Sequence, residues 1–181
     1  MRVVKDSFDV RDLVLVGGGH SHIQVLKSFG MNPVEGVRIT LISQEVSTPY
    51  SGMVPGYIAG IYDHDQVHVD LGRLTQFANS RLIKAQVDGI DLANNRVEMK
   101  DHPPVRFDHL SINTGGISAA KSSNGFPIKP LSGLMIQIEK LAIRIKSRDR
   151  IAIVGGGLGG AELALSLRTR FGDKVRLTIV A

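Results

Sequence analysis

Short apolar runs separated by polar and glycine-rich turns mark out this chain. Residues 12–16 form a brief Val/Leu run without alternation, the pattern of a strand buried on both faces of a parallel sheet. Residues 21–29 follow with Ile23, Val25, Leu26 and Phe29 on the face that an α-helix packs, and Gly30, Met31, Asn32 and Pro33 end it. Residues 37–42 make a second strand, so the three predict a right-handed βαβ unit. The turn-rich stretch 47–56 reads as a loop of a length that often carries function. A helix over 71–78 leads to Leu82 and Ile83. Three short strands are predicted at 86–91, 96–100 and 105–107, with Asn94-Asn95 and His102-Pro103-Pro104 as turns, and a further strand at 109–113. Residues 121–129, rich in Ser, Asn, Gly and Pro, read as a linker. Then come a helix over 134–145, a strand over 151–154, a helix to about Arg170 and a strand over 175–180.

Two of the strand-to-helix junctions are glycine-rich. The first is Gly17-Gly18-Gly19-His20-Ser21-His22; the second is Gly155-Gly156-Gly157-Leu158-Gly159-Gly160-Ala161-Glu162. A tight turn, a backbone without Cβ atoms and a helix N-terminus together form a site for a dinucleotide pyrophosphate. Two such turns in one chain point to two nucleotides, the arrangement needed when a flavin takes hydride from a nicotinamide. Gly155, Gly157 and Gly160 fill all three positions of G-x-G-x-x-G. In the first turn His22 stands at the third position. Either the helix stands slightly further off or the ring points to the edge of the site or into solvent, and His20 either leans over the phosphate or is solvated. A metal site at this pair is not expected, because side chains at i and i+2 of a helix diverge. Ser43 falls where an acidic residue normally holds the ribose, with Glu45 two residues further on. Ser43 either contacts the ribose or simply ends its strand.

Composition narrows the class. The chain has 181 residues, 43% of them hydrophobic, which suits a globular protein with a real core. The net charge of +5 is spread without a dense basic run or aromatic interleaving, so nucleic acid is not an expected partner. There is no cysteine, which excludes a redox-active thiol pair and thiolate metal sites within the chain. No signal peptide and no membrane-spanning run is read, so the expectation is a soluble cytoplasmic protein, with peripheral membrane association left open.

These residues resemble the pyridine nucleotide-disulfide oxidoreductase class of flavoproteins, which carry two dinucleotide-binding domains. The stretch from Phe107 and Asp108 to Thr114 and Gly115 is similar to that class's second flavin motif. Lys129-Pro130 is similar to the short motif before the nicotinamide domain, and the second glycine turn with Glu162 to the nicotinamide motif. A finer likeness lies in the first glycine turn and in Thr48-Pro49-Tyr50-Ser51-Gly52-Met53-Val54-Pro55-Gly56. Both resemble the oxidoreductase module fused ahead of selenide, water dikinase, itself related to type II NADH dehydrogenases and sulfide:quinone oxidoreductases.

The resemblance implies an α/β fold: a Rossmann-like FAD-binding domain over 1–120, with a parallel sheet and a β-meander. Residues 121–181 would be a linker and the first βαβ of a truncated NAD(P)-binding domain. It implies an FAD site formed by Gly17, Gly18, Gly19, His20, Ser21, Ser43, Pro49, Tyr50, Val87, Thr114 and Gly115. Gly155, Gly157, Gly160 and Glu162 would face NAD(P)H. The implied function is an FAD-dependent oxidoreductase passing hydride from NAD(P)H to flavin and on to a small acceptor such as a quinone, without a redox disulfide. The alternative is a non-catalytic nucleotide-binding module regulating a fused or partner domain such as the dikinase. No catalytic acid or base is assigned. NAD and NADP are not distinguished, because the chain's last residue falls where the deciding one would stand. The open edge of the last strand suggests homo-oligomers formed through it.

Overall fold

The computed structural model describes residues 10–118 and 125–180. In chain order the elements are β1 (Arg11–Val16), α1 (His20–Met31), β2 (Val37–Ser43), β3 (Ser47–Pro49), α2 (Val54–Ile58), β4 (His68–Asp70), α3 (Leu71–Phe77), β5 (Arg81–Lys84), β6 (Val87–Asp91), β7 (Arg96–Met99), β8 (His102–Arg106), β9 (His109–Ile112), α4 (Leu131–Arg144), β10 (Asp149–Val154), α5 (Leu158–Phe171) and β11 (Val175–Val180). The first four residues of the expected linker, 121–124, lie outside the described residues, as does Ala181. The chain divides into two compact units. One holds the residues through Thr48 together with Asp70–Gly115; the other holds Pro49–Val69 together with the residues from Gly116. Both are mixed α/β, the class read from the sequence.

The first unit is built on a parallel sheet of order β5-β2-β1-β9. Val14, Leu15 and Val16 are all buried, as is β2 from Ile39 to Ser43, which explains the unbroken apolar run of β1. Val14 and Val16 share one face with Ile42 and Ile83, where Val97 and Met99 of the antiparallel meander β6-β7-β8, and Phe107 just after it, pack with them. Alternation turns Leu15 and Leu41 to the opposite face, which α1 covers with Ile23 and Leu26. Burying one such leucine is worth about 2 kcal/mol. Gly30 lies inside α1 rather than ending it: a Cβ there would collide with the Phe77 ring of α3, so glycine sets how closely the two helices approach. The meander differs from expectation at one place. His102, Pro103 and Pro104 are strand residues of β8, not a turn. β8 is an edge strand, where a proline's missing N–H breaks no ladder bond.

The second unit has β10 and β11 side by side and parallel, with Ile151 level with Leu177 and Ile153 with Ile179. Its core joins Val54, Tyr57 and Ile58 of α2 and Val67 to Leu134, Met135 and Ile138 of α4, Leu167 and Phe171 of α5, and the strand residues Ile153 and Val175. The stretch 47–56, expected as a loop, therefore contains β3 and the start of α2, and β3 pairs with β4. Residues 49–69, read from the sequence as part of the first domain, cluster with the second unit, because their apolar residues are buried among α4 and α5. A polar pin ties the same three helices. Arg170 donates from Nη1 to Glu139 Oε1 at 3.1 Å and from Nη2 to Oε2 at 3.0 Å, and the Tyr57 hydroxyl bonds to the same carboxylate. No helix among the described residues is long and apolar enough to cross a membrane.

Candidate functional site

β1 ends level with its neighbours: Val16 pairs with Ile42 on one side and Ile112 on the other. The chain passes from β1 through α1 to β2 on one side, while β9 flanks β1 on the other. The crevice above these carboxyl ends is the place where open α/β sheets hold ligands. The first glycine turn crosses it. Gly17 takes φ +97°, and a Cβ there would strike the Asn113 carbonyl oxygen, so only glycine fits. A Cβ on Gly19 would strike the Asn113 side chain, and one on Gly18 would come to 2.6 Å from Leu71 Cδ1 and 3.2 Å from Ser43 Oγ. Gly17, Gly18, Gly19, Ser43, Thr114 and Gly115 thus meet at one end of the sheet, with His20 and Ser21 in the exposed first turn of α1.

The N-terminus of α1 is left available. Its N-cap is Gly19, with no side-chain cap and no acidic residue in the first turn. In α3, by contrast, Asp70 caps the helix by accepting from the Arg73 backbone N–H at 3.0 Å. The backbone N–H groups of the first turn and the positive end of the helix dipole favour an anion at α1.

His22 is neither at the edge of the site nor in solvent: it is 1% exposed. Nδ1 lies 2.7 Å from the Gly17 carbonyl oxygen and Nε2 lies 2.9 Å from Ser111 Oγ. A carbonyl only accepts, so Nδ1 carries the proton. Burial pushes the imidazole below its usual range, against the pull of the Gly17 carbonyl. In the neutral ring Nε2 then accepts from the Ser111 hydroxyl. The residue that replaces the motif's third glycine is a brace between the turn and β9. Sequence reasoning gave no role to Ser111 or to the Asn113 side chain. The available signal was two polar residues at i and i+2 in a strand otherwise expected to be buried.

Three further expected residues are placed as follows. Val87 opens β6 and packs against the meander side of the first core. Pro49 and Tyr50 belong to the second unit, where the Tyr50 N–H donates to the Val67 carbonyl at 2.7 Å.

The second turn repeats the design in the second unit. Gly155 takes φ +112°, and its N–H donates to the Val180 carbonyl at 2.7 Å. A Cβ on Gly160 would strike the Gly155 carbonyl oxygen, so this third glycine lets α5 lie against the turn. Gly157 is different. No atom lies within 4 Å of where its Cβ would be. α5 begins there without a side-chain cap or an early acidic residue. Glu162 is exposed one helical turn further along. Among the described residues no group of His, Asp or Glu is arranged to hold a metal ion.

A fold of this kind, with two uncapped helix N-termini reached through glycine turns, defines a class of nucleotide-binding flavoprotein-like α/β proteins. Residues 11–180 match the pyridine nucleotide-disulphide oxidoreductase family, and the chain belongs to it. It is similar to the NADH dehydrogenase-like protein YutJ of Bacillus subtilis, at 27% identity over 175 residues, covering 88% of this chain and 45% of that protein. It is also similar to ferroptosis suppressor protein 1 of Xenopus tropicalis, at 28% over 171 residues, covering 90% and 41%. Among solved structures, the sulfide:quinone oxidoreductase of Aquifex aeolicus shares the fold with a TM-score of 0.68 at 22% identity, over 94% of this chain and 43% of that one. The chain spans less than half the length of these two curated relatives.

Proposed function

We propose that this chain supplies the FAD site and the first part of the NAD(P)H site of a flavin-dependent oxidoreductase. The observation that carries the reading is the contrast between Gly160 and Gly157. The first is a glycine because the protein itself fills the space; the second faces space the protein leaves open, at a helix N-terminus, where a phosphate fits. In the first unit the residues fit the flavin dinucleotide in the same way. The glycine turn and the N-terminus of α1 would hold the pyrophosphate, the Ser43 hydroxyl would meet the ribose, and Thr114 and Gly115 would border the ring side. A flavin held there would supply two-electron redox chemistry. The protein's part is to bind, orient and keep the turn rigid. With no cysteine in these 181 residues, no thiol pair in this chain relays the electrons, and the acceptor is a small molecule that approaches the flavin directly. A quinone is the proposed class, supported by 32% identity over 109 residues to the demethylphylloquinone reductase NdbB of Synechocystis.

The test is to purify the chain, record its visible spectrum, and identify the extracted cofactor by mass spectrometry. FAD at near-stoichiometric amount is expected. FMN, or no flavin after reconstitution with excess FAD, would overturn the reading.

A further inference from the structure

At the amino ends of β10 and β11, the opposite end of the strands from Gly155, four exposed arginines gather. Arg148, Arg150, Arg168 and Arg176 line a cleft of about 400 Å³, together with Asp173 and Val175. That volume falls in the range of small-ligand sites. Five steps along the strand at about 3.3 Å each separate Arg150 from Gly155, so the two ends are about 16–17 Å apart. A phosphate on the second glycine turn therefore does not reach this cleft.

Three features set the cluster apart from a solvated basic surface. First, Arg150 and Arg176 are exact register partners on adjacent parallel strands. Neighbouring strands lie about 4.8 Å apart and paired residues share a face, so like charges directly opposite each other are unfavourable and an anion between them would relieve the repulsion. Second, among the described residues no carboxylate forms an ion pair with Arg148, Arg150 or Arg176. Asp173, the cleft's one acid, is fully exposed and already accepts from Arg168 Nη1 at 3.1 Å. The nearby Asp149 accepts from the Lys146 N–H at 2.8 Å. Third, Arg148 sits in the left-handed region with φ +74°, held by its N–H to the Lys174 carbonyl at 2.7 Å. A residue with a Cβ is strained there, and such strain gathers at functional positions.

We propose that this cleft is a second anion site, separate from the nucleotide sites, that takes a phosphate- or pyrophosphate-bearing ligand. Guanidinium forks match phosphate oxygens in bidentate geometry, and the in-register pair offers two forks side by side. The ligand is either a free phosphate compound or the phosphate of a lipid headgroup.

The experiment titrates inorganic pyrophosphate into the 181-residue chain and follows the arginine Nε–H signals by NMR. A parallel arm floats the chain with phosphatidylcholine vesicles that carry or lack phosphatidylglycerol. Saturable shifts of the Arg150 and Arg176 signals are expected with pyrophosphate. R150Q/R176Q should weaken binding, read at Arg148 and Arg168, by about tenfold or more. Gly157→Val should leave it unchanged. Flotation that depends on phosphatidylglycerol and is lost in R150Q/R176Q assigns the lipid source; shifts with pyrophosphate and no flotation assign the free source. R150K/R176K keeps both charges but loses the forks, and should fall between wild type and the glutamine pair. The proposal is overturned if neither pyrophosphate nor anionic vesicles bind saturably. It is equally overturned if binding survives R150Q/R176Q intact or vanishes with Gly157→Val alone.

Discussion

His22 and Ser111 stand 89 residues apart in the chain and meet at 2.9 Å, with the other ring nitrogen of His22 on the Gly17 carbonyl. One imidazole thus ties the start of α1, the first glycine of the turn and β9 into a single piece. Replacing His22 by alanine leaves a part-buried carbonyl and hydroxyl without this partner. The expected loss is about 2–3 kcal/mol, with weaker FAD retention. Chemical denaturation and cofactor release measure the two separately; unchanged values for both would remove the brace from the account.

The same residue sets a pH dependence. Burial holds its folded pKa below the usual 6.5, so the unfolded chain binds the proton more readily. Its contribution is complete above about pH 6.5 and is lost as pH falls through the folded value. Wild type should therefore lose melting temperature between about pH 7.5 and 5.5 by more than His22→Gln does. Equal slopes would mean that the ring is not held neutral.

The second and third glycines of the second turn's motif make opposite predictions. Gly160→Ala drives a methyl group into the Gly155 carbonyl, and overpacking of this kind costs about 1–3 kcal/mol. Gly157→Ala meets no protein atom and its φ of −71° suits alanine, so stability should stay within about 0.5 kcal/mol. Binding of NAD(P)H should nevertheless weaken, because the methyl enters the space reserved for phosphate. Melting curves and nucleotide titration on both variants separate packing from recognition. A Gly157→Ala protein with wild-type affinity would contradict the proposed site.

In the first turn the test is a rescue. Gly19→Ala should destabilise the unit, because the new methyl strikes the Asn113 amide. Adding Asn113→Ala should restore much of the lost stability. If the turn is a pyrophosphate cradle, FAD retention stays poor in the double variant, since backbone approach is still obstructed. Restored stability with restored FAD would show that Gly19 matters for packing alone.

The helix pin of the second unit titrates at both ends of the scale. The Arg170 fork holds Glu139 below the usual carboxylate value of 4.5, and this support is lost as pH falls below that value. Burial, then the bond to Glu139, pushes Tyr57 up to about 12 from 10.0, so its contribution is present below pH 10 and is lost as pH rises from 10.0 towards about 12. Glu139 is 45% exposed and water screens the pair, so Glu139→Gln should cost only about 0.5–1 kcal/mol near neutral pH. Stability curves of wild type and Glu139→Gln should converge in acid.

The glycine turns and the parallel strands were legible because their chemistry is local. Val14 to Val16 and the three glycines of each turn carry their meaning within a few residues of chain. What escaped was set by partners distant in sequence. His22 looked like a departure from a motif, and became a brace only when β9 brought Ser111 against it. Pro103 and Pro104 looked like a turn, because nothing local says that β8 has a free edge. Tyr57 and Val54 lay in a stretch rich in glycine and proline, and their burial depends on Leu134, Ile138 and Phe171, which the local pattern does not connect to them.

That last relationship has a consequence for synthesis. The segment Pro49–Val69 is made early, yet its apolar partners on α4 and α5 leave the ribosome only after the whole of Asp70–Gly115. While the nascent chain grows, Val54, Tyr57, Ile58 and Val67 lack the α4 and α5 side chains they pack against in the folded unit. A chain released before α5 would present those side chains to chaperones and proteases, so the later half of the message guards the quality of the earlier half.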